Sequence, residues 1–250
     1  PEILVLDEPT AMLDPQGRAD IMHILDELQQ HGTTIILVTH HRDEFVNADR
    51  IIRLDNGRIV QSARGNTASI PEMDESGTAQ EDNPIAKSNI ANGASKPTSA
   101  VPIIEIHNLI YQYPNSSKPV LDKLSITINE GETVAITGHN GAGKTTLARL
   151  LCALEQPQSG SITVNTIPVA RQRANGNMQS LKRADREKLR ATIGYVMQHP
   201  ERQLFAETVA EDVAYGPRNQ RLDEAQVDEH VSQAMALLHI EHLADRSPFD

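Results

Sequence analysis

Gly138-His139-Asn140-Gly141-Ala142-Gly143-Lys144-Thr145 places its glycines, lysine and threonine as G-x-x-x-x-G-K-[ST]. Glycines at this spacing let backbone N–H groups turn inward and cradle phosphate oxygens. Lys144 then reaches terminal phosphates, and the Thr145 hydroxyl ligates Mg²⁺. A helix starting at this point adds the partial positive charge of its N-terminus. A second set of groups is Asp7-Glu8, two adjacent acids at the end of the apolar run Ile3–Leu6. A carboxylate at such a strand end is where a phosphate-binding loop needs a Mg²⁺ partner. Asp7 suits the metal shell, and Glu8 suits proton abstraction from an attacking water. On their own, two acids at a strand end are equally the point where a strand turns polar as it meets solvent.

These groups need buried strands to hold them. Ile3–Leu6 and Thr33–Thr39 are all-apolar or β-branched runs, the signature of strands buried on both faces. Between them Asp14-Pro15 reads as an N-cap with Pro at the first helical position. Ile21, Leu25 and Leu28 keep helical spacing, and Gly32 closes the helix. Asn56-Gly57, between Ile51–Leu54 and Arg58–Val60, is a hairpin signal. Ile104–Ile106 and Ser125–Ile128 alternate like half-buried strands. Val134–Thr137 is the buried strand before the glycine loop, Thr145–Leu154 the helix after it, and Ile193–Val196 a further strand. Residues 223–239 read as an amphipathic helix with Val227, Val231, Met235 and Leu238 on one stripe.

Composition sets outer limits. The 250 residues carry 23 Lys and Arg against 34 Asp and Glu, a net charge of −11. That balance argues against a nucleic-acid partner, whose footprint is a basic face. The longest apolar runs fall far short of the roughly 20 residues of a membrane-spanning helix. One cysteine, Cys152, excludes an intrachain disulfide, and its place on the helix after the glycine loop suits the core. Residues 61–102 contain no Leu and no aromatic residue and are rich in Ser, Asn, Ala, Thr, Gly and Pro. Such a segment reads as a flexible linker that spans roughly 36 Å as a coil. The basic stretch Arg171–Arg190 reads as a solvated surface insertion.

Taken together, the motifs resemble those of the ATP-binding-cassette (ABC) ATPases. The resemblance covers nearly all of the chain outside the linker. It rests on Leu4-Val5-Leu6-Asp7-Glu8-Pro9-Thr10, Met12–Arg18, Thr39-His40, Gly138–Thr146 and Tyr195–Phe205. The last segment, with Tyr215-Gly216-Pro217-Arg218-Asn219, is similar to the ATPase subunits of energy-coupling-factor importers. The resemblance implies an α/β fold: a P-loop cassette with a mostly parallel core sheet, an antiparallel β subdomain and a truncated helical subdomain. It implies ATP and Mg²⁺ as ligands. By the same resemblance Tyr113 stacks on adenine, and Gly138, His139, Asn140, Gly141, Ala142, Gly143, Lys144, Thr145 and Thr146 form the Walker A loop. Gln198 is the Q-loop glutamine, in the Mg²⁺ shell with Thr145 and Asp7. Asp7 and Glu8 form the Walker B pair, Leu13-Asp14 the D-loop, and His40 the switch histidine. The family has an acid after that histidine, where this chain has His41.

The motif order departs from the family's. Walker B, D-loop and switch histidine come first here, Walker A and Q-loop last, and the signature Leu-Ser-Gly-Gly-Gln does not occur. This order, with a first residue that is Pro rather than Met, predicts a window of a tandem fusion. Residues 1–60 are then the back part of a first cassette, 61–102 a linker, and 103–250 the front part of a second. The implied partners are a transmembrane transporter subunit, contacted through the Q-loop region and helical subdomain (Gln203, Leu204, Phe205), and a second cassette in the same full-length chain. The implied location is peripheral, on the cytoplasmic face of the cell membrane. The expected function is ATP hydrolysis coupled to uptake of a vitamin or metal ion, near-inactive in this stretch alone without the signature. The alternative is a soluble tandem-cassette ATPase on ribosomes (ABC-F-like), disfavoured by the acidic balance and the short, turn-rich linker. A DNA-repair ATPase is disfavoured because no heptads occur. The two pieces together hold almost every core strand of one cassette, which predicts that they dock with Asp7 close to Lys144.

Overall fold

The computed structural model describes residues 1–45, 47–64, 101–173 and 175–249. In the first segment β1 (Ile3–Asp7), α1 (Pro15–Gln30), β2 (Thr34–Val38), β3 (Arg50–Asp55) and β4 (Arg58–Arg64) follow the local patterns. Asp14 caps α1 by accepting from Gly17 N at 2.8 Å, with Pro15 next. Asn56 and Gly57 both take positive φ, +47° and +74°, as a tight two-residue hairpin requires. Strand β4 continues through Arg64, four residues past the expected boundary at 60. Most of the expected linker, 65–100, lies outside the described residues.

The second segment supplies β5 (Pro102–Tyr111), β6 (Leu121–Asn129), β7 (Thr133–Thr137), α2 (Lys144–Leu151), β8 (Ser159–Val164), β9 (Ile167–Gln172) and β10 (Met178–Gln179). It ends with α3 (Arg183–Thr192), β11 (Ile193–Val196), α4 (Val209–Asn219) and α5 (Glu224–Leu237). Helix α2 is shorter than the expected Thr145–Leu154. Ala153 adopts φ +54°, and Leu154 N turns back to Arg149 O at 2.9 Å, which closes the helix. Cys152 therefore sits at its C-cap, packed against the core, and burial pushes its thiol pKa up to about 12.

The two segments interleave in one sheet of order β11-β1-β2-β7-β3-β4. All neighbours are parallel except β3 and β4. Strands β1 and β2 of the first segment thus fill the space between β11 and β7 of the second. Five buried residues in a row, Thr34–Val38, mark β2 as central. A second, antiparallel sheet runs β10-β9-β8-β5-β6 and packs Ile104, Ile106, Ile126, Ile128 and Ile162 into the same core as Ile36, Val38, Val134 and Ile136. The hairpin turn of the first segment locks onto the second. Gly57 N donates to Ala142 O (3.1 Å), Asp122 N donates to Gly57 O (3.0 Å), and Arg58 Nε meets Asp122 Oδ2 at 3.0 Å. Helices α4 and α5 pack on each other, and a capping box of Asp223 and Gln226 starts α5. Its buried stripe is narrower than expected: Val227 and Met235 are buried, Val231 is half-buried and Leu238 is exposed.

Candidate functional site

Four parallel strands, β11, β1, β2 and β7, end side by side, and their C-terminal loops carry Gln198, Asp7-Glu8, His40 and the glycine loop. That edge is where an open α/β sheet places ligands. A cleft of about 640 Å³ opens there, lined by Glu8, His40, Tyr113, Val120, Gln198 and the loop from Gly138 to Thr146 except Ala142. Ala142 is fully buried under the loop, and Asp7, 1 % exposed, lies beneath the cleft floor.

The loop's conformation follows from crowding. Gly138 ends β7 with φ +146°, and a Cβ there would lie 2.3 Å from Leu54 O. Only glycine lets the chain turn against β3 at that distance. Lys144 begins α2 and is 6 % exposed. Its Nζ donates to Gly138 O (2.8 Å) and His139 O (3.3 Å), which aims the ammonium along the loop. Burial lowers its pKa, and the carboxylates of Glu8 and Asp7 oppose that shift.

Asp7 and Thr145 meet across the two segments: Thr145 Oγ1 donates to Asp7 Oδ1 at 3.1 Å. The expected docking of Asp7 near Lys144 is therefore present. Burial raises the Asp7 pKa, the Thr145 hydrogen bond opposes this, Glu8 adds to the rise, and Lys144 and the Tyr195 hydroxyl oppose it more weakly. Asp7 Oδ2 is buried with no hydrogen-bond partner among the described residues. A buried, unpaired carboxylate oxygen beside a threonine hydroxyl is a hard-donor set that suits Mg²⁺.

Glu8 turns the other way. It holds φ +51°, a conformation that costs a non-glycine residue about 1–3 kcal/mol, and it carries the carboxylate into the cleft. Gln198 Nε2 donates to its Oε2 at 2.9 Å, and His40 Nδ1 lies 3.4 Å from its Oε1. Both neighbours hold the carboxylate over the cleft, where a water could give up a proton to it. Tyr113 lies two residues past β5, on the loop that follows it. Its hydroxyl is 3.1 Å from Thr146 Oγ1, and its ring stands edge-on to Tyr111 at 5.0 Å. Its ring and Val120 form the apolar end of the cleft.

All fourteen expected site residues gather at this one place. Three neighbours were not expected. Val120 carries no motif, and only its sequence position near Tyr113 hints at it. Asp55, at the end of β3, binds His139 Nε2 at 2.6 Å. Glu44, a buried acid behind His40, had no signal beyond its place in a polar run.

The model of the ABC transporter family matches residues 121–249. The chain belongs to the ABC transporter family. An ABC transporter ATP-binding protein of Bifidobacterium longum is 48 % identical over the whole of this cassette sequence, which covers 35 % of that protein. The energy-coupling factor transporter ATP-binding protein EcfA2 of Clostridium acetobutylicum is 38 % identical over 59 % of this chain and 50 % of its own. The solved structure of cbiO1 from Clostridium perfringens, part of the ABC transporter complex cbiONQ, is 33 % identical, with TM-score 0.49, and covers 59 % of this chain and 54 % of its own. The chain spans between 35 % and 59 % of the length of the curated relatives it matches. Among the described residues no helix is long and apolar enough to cross a membrane.

Proposed function

We propose that this chain carries the nucleotide machinery of an importer ATPase of the energy-coupling-factor type, which couples ATP hydrolysis to uptake of a vitamin or metal ion through a transmembrane partner. The observation that carries the reading is the Asp7–Thr145 pair under the glycine loop, with Glu8 held between Gln198 and His40 over the same cleft. Tyr113 and Val120 offer an apolar face to the adenine base. The loop N–H groups, the α2 N-terminus and Lys144 bind the phosphate chain. Asp7, Thr145 and Gln198 are the residues to hold Mg²⁺, which when bound neutralises charge on the transferring phosphoryl group. Glu8 accepts the proton of the attacking water while the bond to the leaving ADP oxygen breaks. His40 and Gln198 orient Glu8, and His40 reaches the γ-phosphate.

The finer parts of the reading have their own support. The EcfA2 likeness favours the coupling-factor type. Whole-length alignment inside a relative of which this chain is 35 % favours a window of a two-cassette protein, with Walker B of a first cassette ahead of Walker A of a second. In that arrangement each segment meets the equivalent half of its own cassette, so the contacts between the two segments here stand for two like sites, and the signature is supplied from elsewhere in the full-length chain. Exposed Met12 and Leu13 at the D-loop suit contact with the other cassette, and exposed Phe205 suits the membrane subunit at the cytoplasmic face.

The test is binding of a fluorescent ATP analogue with Mg²⁺ to the 250-residue chain, followed by phosphate release from the full-length protein. Lys144→Ala abolishes the binding. Glu8→Gln keeps binding and lowers hydrolysis at its site by about 100-fold or more. Unchanged binding in Lys144→Ala, or unchanged hydrolysis in Glu8→Gln, overturns the reading.

A further inference from the structure

We propose that Glu44 is the positioning residue of the hydrolytic site, a buried clamp that fixes Glu8 and His40 relative to each other and to helix α1. The inference rests on the hydrolysis reading above and adds a residue to it. Glu44 ends a one-turn helix, Arg42–Glu44, four residues beyond His40. It is a carboxylate, yet it is 2 % exposed. Thr10 Oγ1 donates to its Oε1, and Thr39 Oγ1 donates to its Oε2. Arg18 Nε of α1 lies 3.6 Å from Oε1. Thr10 is 0 % exposed and Thr39 is 1 % exposed, so neither hydroxyl can turn to water instead.

Each partner reports to a different part of the site. Thr10 follows Glu8 by two residues, on the loop that leaves β1. Thr39 directly precedes His40 at the end of β2. Arg18 sits in the first turns of α1, whose cap Asp14 belongs to the D-loop. One carboxylate thus ties the loop that aims the proton acceptor, the strand end that aims the histidine, and the helix behind the D-loop. The Glu8–His40 approach of 3.4 Å is set in part by this frame: the His40 side chain is half exposed and takes its place from the strand end, while Glu8 is also held by Gln198 at 2.9 Å. A buried carboxylate is costly to desolvate, and apolar residues of similar volume would hold two strand ends together more cheaply. What the carboxylate adds is two directed acceptors, which fix the angle of the loop as well as its distance.

All four residues lie between positions 10 and 44 of the sequence. The clamp is therefore complete within the first segment, and it stands whichever front half of a cassette that segment docks on. Glu44 lines no part of the nucleotide cleft, so it acts on the geometry of Glu8 and His40 and not on ATP binding.

The experiment is steady-state ATP hydrolysis by the full-length protein, with thermal unfolding read alongside. The activity that Glu8→Gln removes sets the scale of what this site contributes. Glu44→Ala is expected to remove that activity about tenfold or more, because a shift of about 1 Å in a reacting group costs up to about 100-fold. The KM for ATP stays within about twofold, which sets the effect apart from a damaged nucleotide pocket, and an unchanged unfolding transition sets it apart from a loss of folded protein. Thr39→Val keeps the packing and loses the hydroxyl; it lowers kcat at unchanged KM, and Thr39→Ser restores it. Thr39 Oγ1 also accepts from His41 N at 3.0 Å, so Thr10→Val, which removes a hydroxyl bonded to Glu44, decides the matter if Glu44→Ala does not fold. The inference is overturned if kcat in Thr39→Val or in Thr10→Val equals wild type, or if Glu44→Ala raises KM with kcat unchanged. An inactive wild-type protein, or a Glu8→Gln variant as active as wild type, instead removes the hydrolysis reading and this inference with it.

Discussion

Replacing Gly57 by Ala tests whether the two segments are locked as the structure shows. Gly57 has φ +74°, and a Cβ there would lie 2.1 Å from Val120 O, 2.8 Å from Val120 C and 2.9 Å from Leu121 Cα. All three are backbone atoms of the second segment, so no rotamer change relieves the overlap. Gly32 is the control: its φ is +93°, and nothing lies within 4 Å of the added carbon. Both variants bear the left-handed backbone cost, about 1–2 kcal/mol. Gly57→Ala adds overpacking of about 1–3 kcal/mol. It also weakens the Gly57–Ala142 and Asp122–Gly57 backbone bonds, worth about 1 kcal/mol each when lost. At about 2–4 °C per kcal/mol for a domain of this size, Gly32→Ala lowers Tm by about 2–8 °C. Gly57→Ala, at about 2–7 kcal/mol, lowers it by about 4–28 °C. The assay is thermal unfolding of the 250-residue chain by circular dichroism. Equal Tm losses in the two variants would refute the docking of the hairpin turn under the glycine loop, and with it the meeting of Asp7 and Thr145.

Two further predictions concern charge. His139 has an oxygen acceptor on each ring nitrogen, Asn140 O at 2.7 Å and Asp55 Oδ1 at 2.6 Å, and these raise its pKa above the ordinary 6.5. The stability this contact contributes is full below pH 6.5 and is lost as pH rises through the raised value. NMR titration of the His139 ring gives a midpoint above 6.5 that falls in Asp55→Asn; an unchanged midpoint refutes the bridge. Asp7→Asn acts in the opposite functional sense. Burial raises the Asp7 pKa above 3.8, so the folded state binds the proton better than the unfolded one, and stability falls as pH rises through that window. Asp7→Asn therefore raises Tm at pH 7, the gain vanishing as pH falls below 3.8, while hydrolysis is lost; a lower Tm at pH 7 refutes the cost assigned to the carboxylate.

Local patterns in the sequence reveal what is local in the structure. The apolar runs of β1 and β2, the Asp14-Pro15 start of α1 and the Asn56-Gly57 turn are each set by residues within a few positions. The end of α2 was not legible, because the closing signal is a left-handed Ala153 rather than a glycine. The exposed side of α5 was not legible either: hydrophobic spacing says which residues could be covered, and among the described residues α5 packs mainly on α4. Long-range pairs are the harder case. Asp7 and Thr145 are 138 positions apart; their residue types gave each a Mg²⁺ role, and the family resemblance supplied the expectation that the two segments dock. Nothing in the sequence pairs Asp55 with His139, since a charge in a turn reads the same whether it meets solvent or a histidine 84 positions away.

Burial of charge does not by itself mark the site. Glu132 is 2 % exposed, yet it is fully partnered by Arg50 Nε at 3.0 Å and Asn129 N at 2.9 Å, and it fastens the β6–β7 turn to β3. Its charge is satisfied by the fold and has nothing left to bind. Among the described residues, Asp7 differs in having one oxygen without a hydrogen-bond partner, and Lys144 in donating to carbonyls of its own loop. Glu8 differs again, in holding a strained backbone to reach open space. These three costs fall on residues within one cleft, and the core strands β1, β2 and β7 that carry them are among the most deeply buried in the molecule. A fold this rigid at that point can hold unsatisfied groups in place without collapsing onto them. Unsatisfied, immobile and opening on a cleft together are what separate a site for a polyanion and its metal from an ordinary buried ion pair.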